Sequence, residues 1–124
     1  GAISTGKQIA ASLALGAELT YLGTRFISSA ECGAVDAYKA MVVNASPEDI
    51  TYTNQVSGVY ANFLSETIPD DTKPDRNPVG AAKRWKDIWS AGHGVAEIHN
   101  IQTVEEIVEQ LVREYHDTVS ALPR

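Results

Sequence analysis

Thr103-Val-Glu-Glu106 begins the strongest structural signal in this chain of 124 residues. The spacing is a capping box, in which Thr103 and Glu106 satisfy each other's first-turn donors. Val104, Ile107, Val108, Leu111, Val112 and Tyr115 follow at i, i+3, i+4, i+7, i+8 and i+11, which predicts a helix with one apolar stripe ended by Pro123. Such a stripe has to pack against other elements, so the rest of the chain must supply a surface for it.

The upstream sequence offers further elements. Ser4 or Thr5 can cap a helix over about 5–15, where Ile9, Leu13 and Ala17 share a face with Ala10 and Ala14 beside them. Gly16 suits the position just past its end, where positive φ costs glycine little. Leu19-Thr-Tyr-Leu22 before Gly23 predicts a short buried strand, and the tight helix-to-strand link is typical of an α/β unit. A second helix is expected over 29–45, capped by Ser29, with Ala34, Tyr38, Met41, Val42 and Ala45 on one face. Ser46-Pro-Glu-Asp49 reads as a turn or a new helix start with proline at its first position. Ile50-Thr-Tyr-Thr53 alternates as a strand does, while 54–65 fits no single pattern. Pro69, Pro74, Pro78 and Gly80, with Glu66, Asp70, Asp71 and Asp75, make 66–82 a loop.

Composition narrows the function. Hydrophobic residues are 44% and charged residues 21%, the balance of a globular chain. No run approaches the ~18 apolar residues of a membrane span. Ten basic against sixteen acidic residues leave no surplus of positive charge for a nucleic-acid backbone. The single Cys32 forms no internal disulfide, which fits a reducing, cytoplasmic setting. The start at Gly1 carries no basic-then-apolar leader pattern, and the missing methionine suggests a processed or excised start.

Two glycine-and-hydroxyl clusters stand out as chemistry. Gly1 to Gly6 precede a helix, whose unpaired first-turn N–H groups and dipole attract phosphate. Gly23-Thr24 follows a strand, with a glycine for close backbone approach and a hydroxyl beside it. Together they could form a phosphate clamp, although ordinary caps and turns explain each one alone. His93, flanked by Gly92 and Gly94, could act as an acid or base, or be a plain turn histidine. His93, His99 and His116 match no zinc spacing, so no metal site is expected. Cys32 near a helix start reads as an inert thiol, no Gly-x-Ser-x-Gly elbow marks a hydrolase serine, and the acids over 105–114 read as a solvated face.

In order along the chain, Gly1-Ala-Ile-Ser-Thr-Gly6, Ala14-Leu-Gly-Ala17, Leu22-Gly-Thr-Arg-Phe26 and Trp85-Lys-Asp-Ile-Trp-Ser-Ala-Gly-His-Gly94 resemble the nitronate monooxygenase family, formerly called 2-nitropropane dioxygenases. That family shows a Gly-Gly-x-x-x-Gly turn, an Ala-Leu-Gly-Ala helix end, a Gly-Thr-Arg-Phe strand end and a Trp-Ser-Ala-Gly segment. Each motif is modest alone; the shared order makes the likeness specific, and 66–82 match least. The resemblance implies the C-terminal part of an FMN-binding (β/α)8 barrel, mostly helical here, with 1–28 ending the barrel and 29–124 forming a C-terminal helical segment and loop.

By the same resemblance, the Gly1 turn follows barrel strand seven and Leu19 to Leu22 is strand eight, where such barrels hold a cofactor phosphate. Gly1 and Ala2 fall on the paired glycines, and Tyr21, Leu22, Gly23 and Thr24 on the stretch that contacts FMN. Ala2 replaces the usual second glycine; its methyl would crowd the phosphate, or be tolerated if φ is negative. Tyr21 replaces a common glutamine, a minor change if the contact is through backbone. The family's catalytic histidine lies earlier in the barrel, so no catalytic residue is assigned here and His93 does not take that role. The implied reaction is oxidation of an alkyl nitronate by FMN and O2. A barrel needs roughly 250 residues, so the chain is expected to be a C-terminal piece, inactive alone, whose partner is the remainder of the barrel. The alternatives are an FMN-type enoyl-acyl-carrier-protein reductase and a non-catalytic interaction module.

Overall fold

The computed structural model describes residues 1–69 and 86–123. The first helix, α1 (Gly6–Ala14), forms where the sequence placed it. Thr5 caps it: its hydroxyl accepts the Gln8 N–H at 3.2 Å, while the Gln8 side-chain Oε1 accepts the N–H of Thr5 at 3.1 Å and of Ser4 at 2.7 Å. Gly16 follows the end at φ +103°, the left-handed geometry expected of it.

Residues 19–22 form no strand and join no ladder among the described residues. A parallel strand exists only through its neighbours, and no described strand pairs with this segment. Leu19 and Tyr21 are accordingly 88% and 89% exposed, where a buried strand was expected.

A short helix, α2 (Thr24–Ile27), leaves the Gly23 turn directly. The next helix, α3 (Asp36–Asn44), is shorter than the 29–45 expected, and Ser29 is not its cap. The Ser29 hydroxyl instead donates to the Phe26 carbonyl at 2.8 Å and accepts the Cys32 N–H at 3.2 Å, closing a turn. Its backbone lies in a parallel bridge with Gln102. These bonds hold 28–32 out of helical register, and α3 starts only after the extended Val35.

Pro47–Asp49 form a single 3₁₀ turn in which the Asp49 carboxylate accepts the Ser46 N–H at 2.8 Å. Strand β1 (Ile50–Thr53) follows as expected and pairs antiparallel with β2 (Ala61–Leu64), Ile50 opposite Leu64 and Thr53 opposite Ala61. The unpatterned stretch 54–65 therefore contains a strand. The expected loop begins with a 3₁₀ turn, Ser65–Thr67, and its residues 70–82 lie outside the described part. On the far edge of β2, Leu64 N–H donates to the Trp89 carbonyl at 2.8 Å and Phe63 bridges Ser90.

The main core joins Val42, Ile50, Leu64, Ala91, Val95 and Ile98, with Ile27, Tyr38, Met41 and Trp89 packed around it. Val56, Phe63 and Ile88 form a second cluster beside the hairpin. Among the described residues no helix is long and apolar enough to cross a membrane.

The last helix, α4 (Val104–Ala121), carries the capping box read from sequence: Thr103 accepts the Glu106 N–H at 3.2 Å, and the Glu106 carboxylate accepts the Thr103 N–H at 2.9 Å. It packs on α1, and the contact centres on Gly6. A Cβ on Gly6 would collide with the backbone of Leu111 and Tyr115 and lie 2.7 Å from Glu114 Cβ. The stripe is only half covered. Ile107 is buried, and Leu111 and Tyr115 partly so, but Val108 and Val112 remain 46% and 50% exposed, because α1 lies toward Glu114 rather than centrally on the stripe.

Gly6→Ala should therefore cost about 3 kcal/mol or more, since backbone rather than a movable side chain must yield. Chemical denaturation followed by circular dichroism checks this; a loss below about 0.5 kcal/mol, the level of a neutral surface change, would mean α4 does not lie on Gly6.

Candidate functional site

The two glycine turns lie at opposite ends of one connecting segment, Gly92-His93-Gly94. On one side the Gly92 N–H donates to Thr24 Oγ1 at 2.9 Å. On the other, Ser4 Oγ, 5% exposed, donates to the Gly94 carbonyl at 2.9 Å. A Cβ on Gly94 would stand 2.6 Å from Ser4 Oγ and 3.4 Å from Ala2 Cα, so only glycine permits this approach. The flanking glycines thus serve backbone contact with the two turns. His93 opens the 3₁₀ turn His93–Glu97 between them, with its side chain exposed.

Of the expected contact residues, Gly1, Ala2, Tyr21 and Gly23 are exposed, and Leu22 and Thr24 half-buried. A Cβ on Gly1 or Gly23 would meet nothing within 4 Å. Among the described residues no acceptor takes the N–H of Ala2, Gly23 or Thr24. These are open, donor-rich backbone turns, a donor set that suits a phosphate.

Two expectations change. Ala2 has φ +60°, the one non-glycine left-handed residue among those described, so its methyl is accommodated at a strain of about 1–2 kcal/mol rather than by negative φ. The N-terminus of α1 is not a free phosphate site either. Glu114 Oε2 accepts the Gly6 N–H at 2.7 Å, and Thr5 and Gln8 take up neighbouring donors. The chain's own carboxylate meets the positive end of that helix, which leaves the turn before it as the open part.

Sequence reasoning missed Ser4, Gly92 and Gly94 as the lacing between the turns. The Gly-His-Gly pattern was visible, but its partners are some 70 to 90 residues away in the chain. Tyr38 supports the same segment from α3. Its ring stacks on Trp89 with centroids 4.9 Å apart, and its hydroxyl donates to the Ser90 carbonyl. Burial, the largest cause, pushes the Tyr38 phenol above its ordinary range, with the nearby Cys32 adding to it. Cys32 is half-buried with a free thiol. No group of three His, Cys, Asp or Glu side chains among the described residues could hold a metal ion.

A family model described as nitronate monooxygenase matches residues 1–82. The chain is 31% identical over 111 residues to a probable nitronate monooxygenase of Staphylococcus saprophyticus, covering 73% of this chain and 31% of that protein. Its fold is similar to that of nitroalkane oxidase from Streptomyces ansochromogenes, with a TM-score of 0.79 and 25% identity over 99% of this chain and 40% of that one. It is likewise similar to FabK of Thermotoga maritima, with a TM-score of 0.75 and 28% identity over 97% of this chain and 44% of that one. The chain spans about a third of the curated relative's length.

Two outcomes follow from the turn geometry. Ala2→Gly should stabilise the chain by about 0.5–1 kcal/mol, the relieved strain less the entropy glycine adds to the unfolded state, whereas Ala2→Val should destabilise it. Paired thermal melts test this, and a destabilising Ala2→Gly would contradict the left-handed assignment. For Tyr38, the folded state holds its proton more tightly than the unfolded state does. Its contribution is therefore fully present below about pH 10 and is lost as pH rises through the raised folded value. Denaturation midpoints across alkaline pH should fall less steeply in Tyr38→Phe.

Proposed function

The chain belongs to the nitronate monooxygenase family and has the fold of the C-terminal part of a (β/α)8 barrel, mostly helical; from that premise we propose that it supplies the phosphate-holding end of an FMN-dependent nitronate monooxygenase. One observation carries the reading. Two open turns, Gly1-Ala2 and Gly23-Thr24, are tied to a single segment by the Ser4–Gly94 and Thr24–Gly92 bonds. That arrangement fixes two sets of backbone donors relative to each other, as a phosphate clamp requires.

The residues that would hold FMN are Gly1, Ala2, Tyr21, Leu22, Gly23 and Thr24. The N–H groups of Ala2, Gly23 and Thr24 would donate to the phosphate. Tyr21 and Leu22 would contribute backbone, since the Tyr21 side chain points to solvent. When bound, FMN supplies the redox chemistry between an alkyl nitronate and O2. This chain's part is to bind and orient. Thr24 Oγ1 is held by Gly92 N–H, which fixes the hydroxyl beside the turn. No side chain here is assigned a proton-transfer step, and the catalytic histidine belongs to the remainder of the barrel. The same remainder would cover Leu19 and Tyr21, which are exposed on a segment that joins no ladder among the described residues. The lone Cys32 suits a reducing cytoplasm.

The reading is tested by amide NMR of the chain titrated with FMN and, separately, riboflavin. FMN should shift the amides of Ala2, Gly23 and Thr24, and riboflavin, which lacks the phosphate, should leave them in place. Equal shifts with both ligands, or none with FMN, would overturn it. The chain alone should show no nitronate-dependent O2 uptake. Activity of a reassembled barrel in NADH-driven reduction of an enoyl thioester, without nitronate oxidation, would move the assignment to the enoyl reductase class.

A further inference from the structure

Arg25 follows Thr24 directly and is only 5% exposed. Its guanidinium makes no ion pair within the described residues, yet both terminal nitrogens donate to neutral acceptors. Nη1 donates to the Asn100 carbonyl at 3.3 Å and to the Ser28 carbonyl at 3.5 Å. Nη2 donates to Gln102 Oε1 at 2.5 Å and to Asn100 Oδ1 at 3.2 Å. Burial lowers its pKa and the charge of Glu114 partly restores it, but an arginine remains protonated in either case.

The acceptors lie on two segments, Ser28 and Asn100–Gln102, that are also joined through backbone. Ala30 N–H donates to the Gln102 carbonyl at 2.8 Å, and Gln102 N–H to the Ser28 carbonyl at 3.4 Å. One residue later, Thr103 caps α4. Arg25 therefore ties the exit of the Gly23-Thr24 turn to the start of α4, the helix whose Glu114 holds the N-terminus of α1 behind the other turn.

We infer that Arg25 is a positioning residue for the phosphate clamp: its planar fork fixes where the Gly23 and Thr24 amides stand, without itself touching the phosphate. The inference rests on the FMN reading for the ligand, but not for the latch. A lysine keeps the charge and cannot reproduce a fork that reaches both segments at once.

The test compares the full chain with Arg25→Lys. Without ligand, amide exchange at Ala30 and Gln102 should accelerate about tenfold, the cost of losing a charged hydrogen bond. Amides in the centres of α1 and α4 should keep their protection. With ligand, the preference for FMN over riboflavin should fall about tenfold in the variant. If Arg25→Lys fails to fold, Gln102→Ala, which removes the shortest acceptor and keeps the arginine, is read by the same two measurements. Unchanged exchange at Ala30 and Gln102 would overturn the latch. So would accelerated exchange throughout the chain with the FMN preference intact, because that describes general loosening. Wild-type protein with no FMN preference would sink the phosphate reading, while the exchange pattern alone would still decide the latch.

Discussion

Gly6 lies so close to α4 that backbone meets backbone, and its N–H points into the Glu114 carboxylate at 2.7 Å. This contact does two jobs. It brings α1 and α4 together, each with a buried residue, Ala10 on α1 and Ile107 on α4. It also satisfies the positive end of α1 internally, at a distance typical of a charge-assisted bond. The placement of the Gly1-Ala2 turn depends on it, because that turn is the segment leading into α1 and its other tether is the Ser4–Gly94 bond.

The second turn is anchored differently. Gly23-Thr24 leads into α2, whose Ile27 packs on the main core, and Arg25 pins the exit to Asn100 and Gln102. One turn thus depends on a helix pair and the other on the core. The Gly92–Gly94 segment is the mechanical link between them, itself supported by Tyr38 stacked on Trp89. The apolar surface left over has a pattern: Leu19 and Tyr21 on the segment before Gly23, and the Val108–Val112 side of α4. Exposure of this kind is expected where a barrel's neighbouring strands and helices are not part of the chain.

Local rules made part of this fold legible in sequence. The N-cap of α1, the capping box of α4, the positive φ of Gly16 and the alternation of β1 each follow from side chains within four residues of where they act. Two failures were non-local. Residues 19–22 have strand chemistry, but a strand needs a partner. Ser29 has cap chemistry, but its hydroxyl and backbone were claimed by Phe26, Cys32 and Gln102. β2 was hidden in 54–65 because Ala61 and Asn62 dilute its pattern. At the site, the motif residues of both turns were readable through the family resemblance, whereas Ser4, Arg25, Gly94 and Glu114 act across 70 to more than 100 residues of sequence. Ala2 shows the reverse: its identity was visible, but its left-handed backbone was not.

α4 places the first turn, and the core places the second. The most direct measurement is NMR of a chain ending at Gln102, following the close approach of Ala2 to Gly94 and of Thr24 to Gly92. Loss of the Ala2–Gly94 contact with retention of the Thr24–Gly92 contact is the expected result. Retention of both contacts without α4 would contradict it.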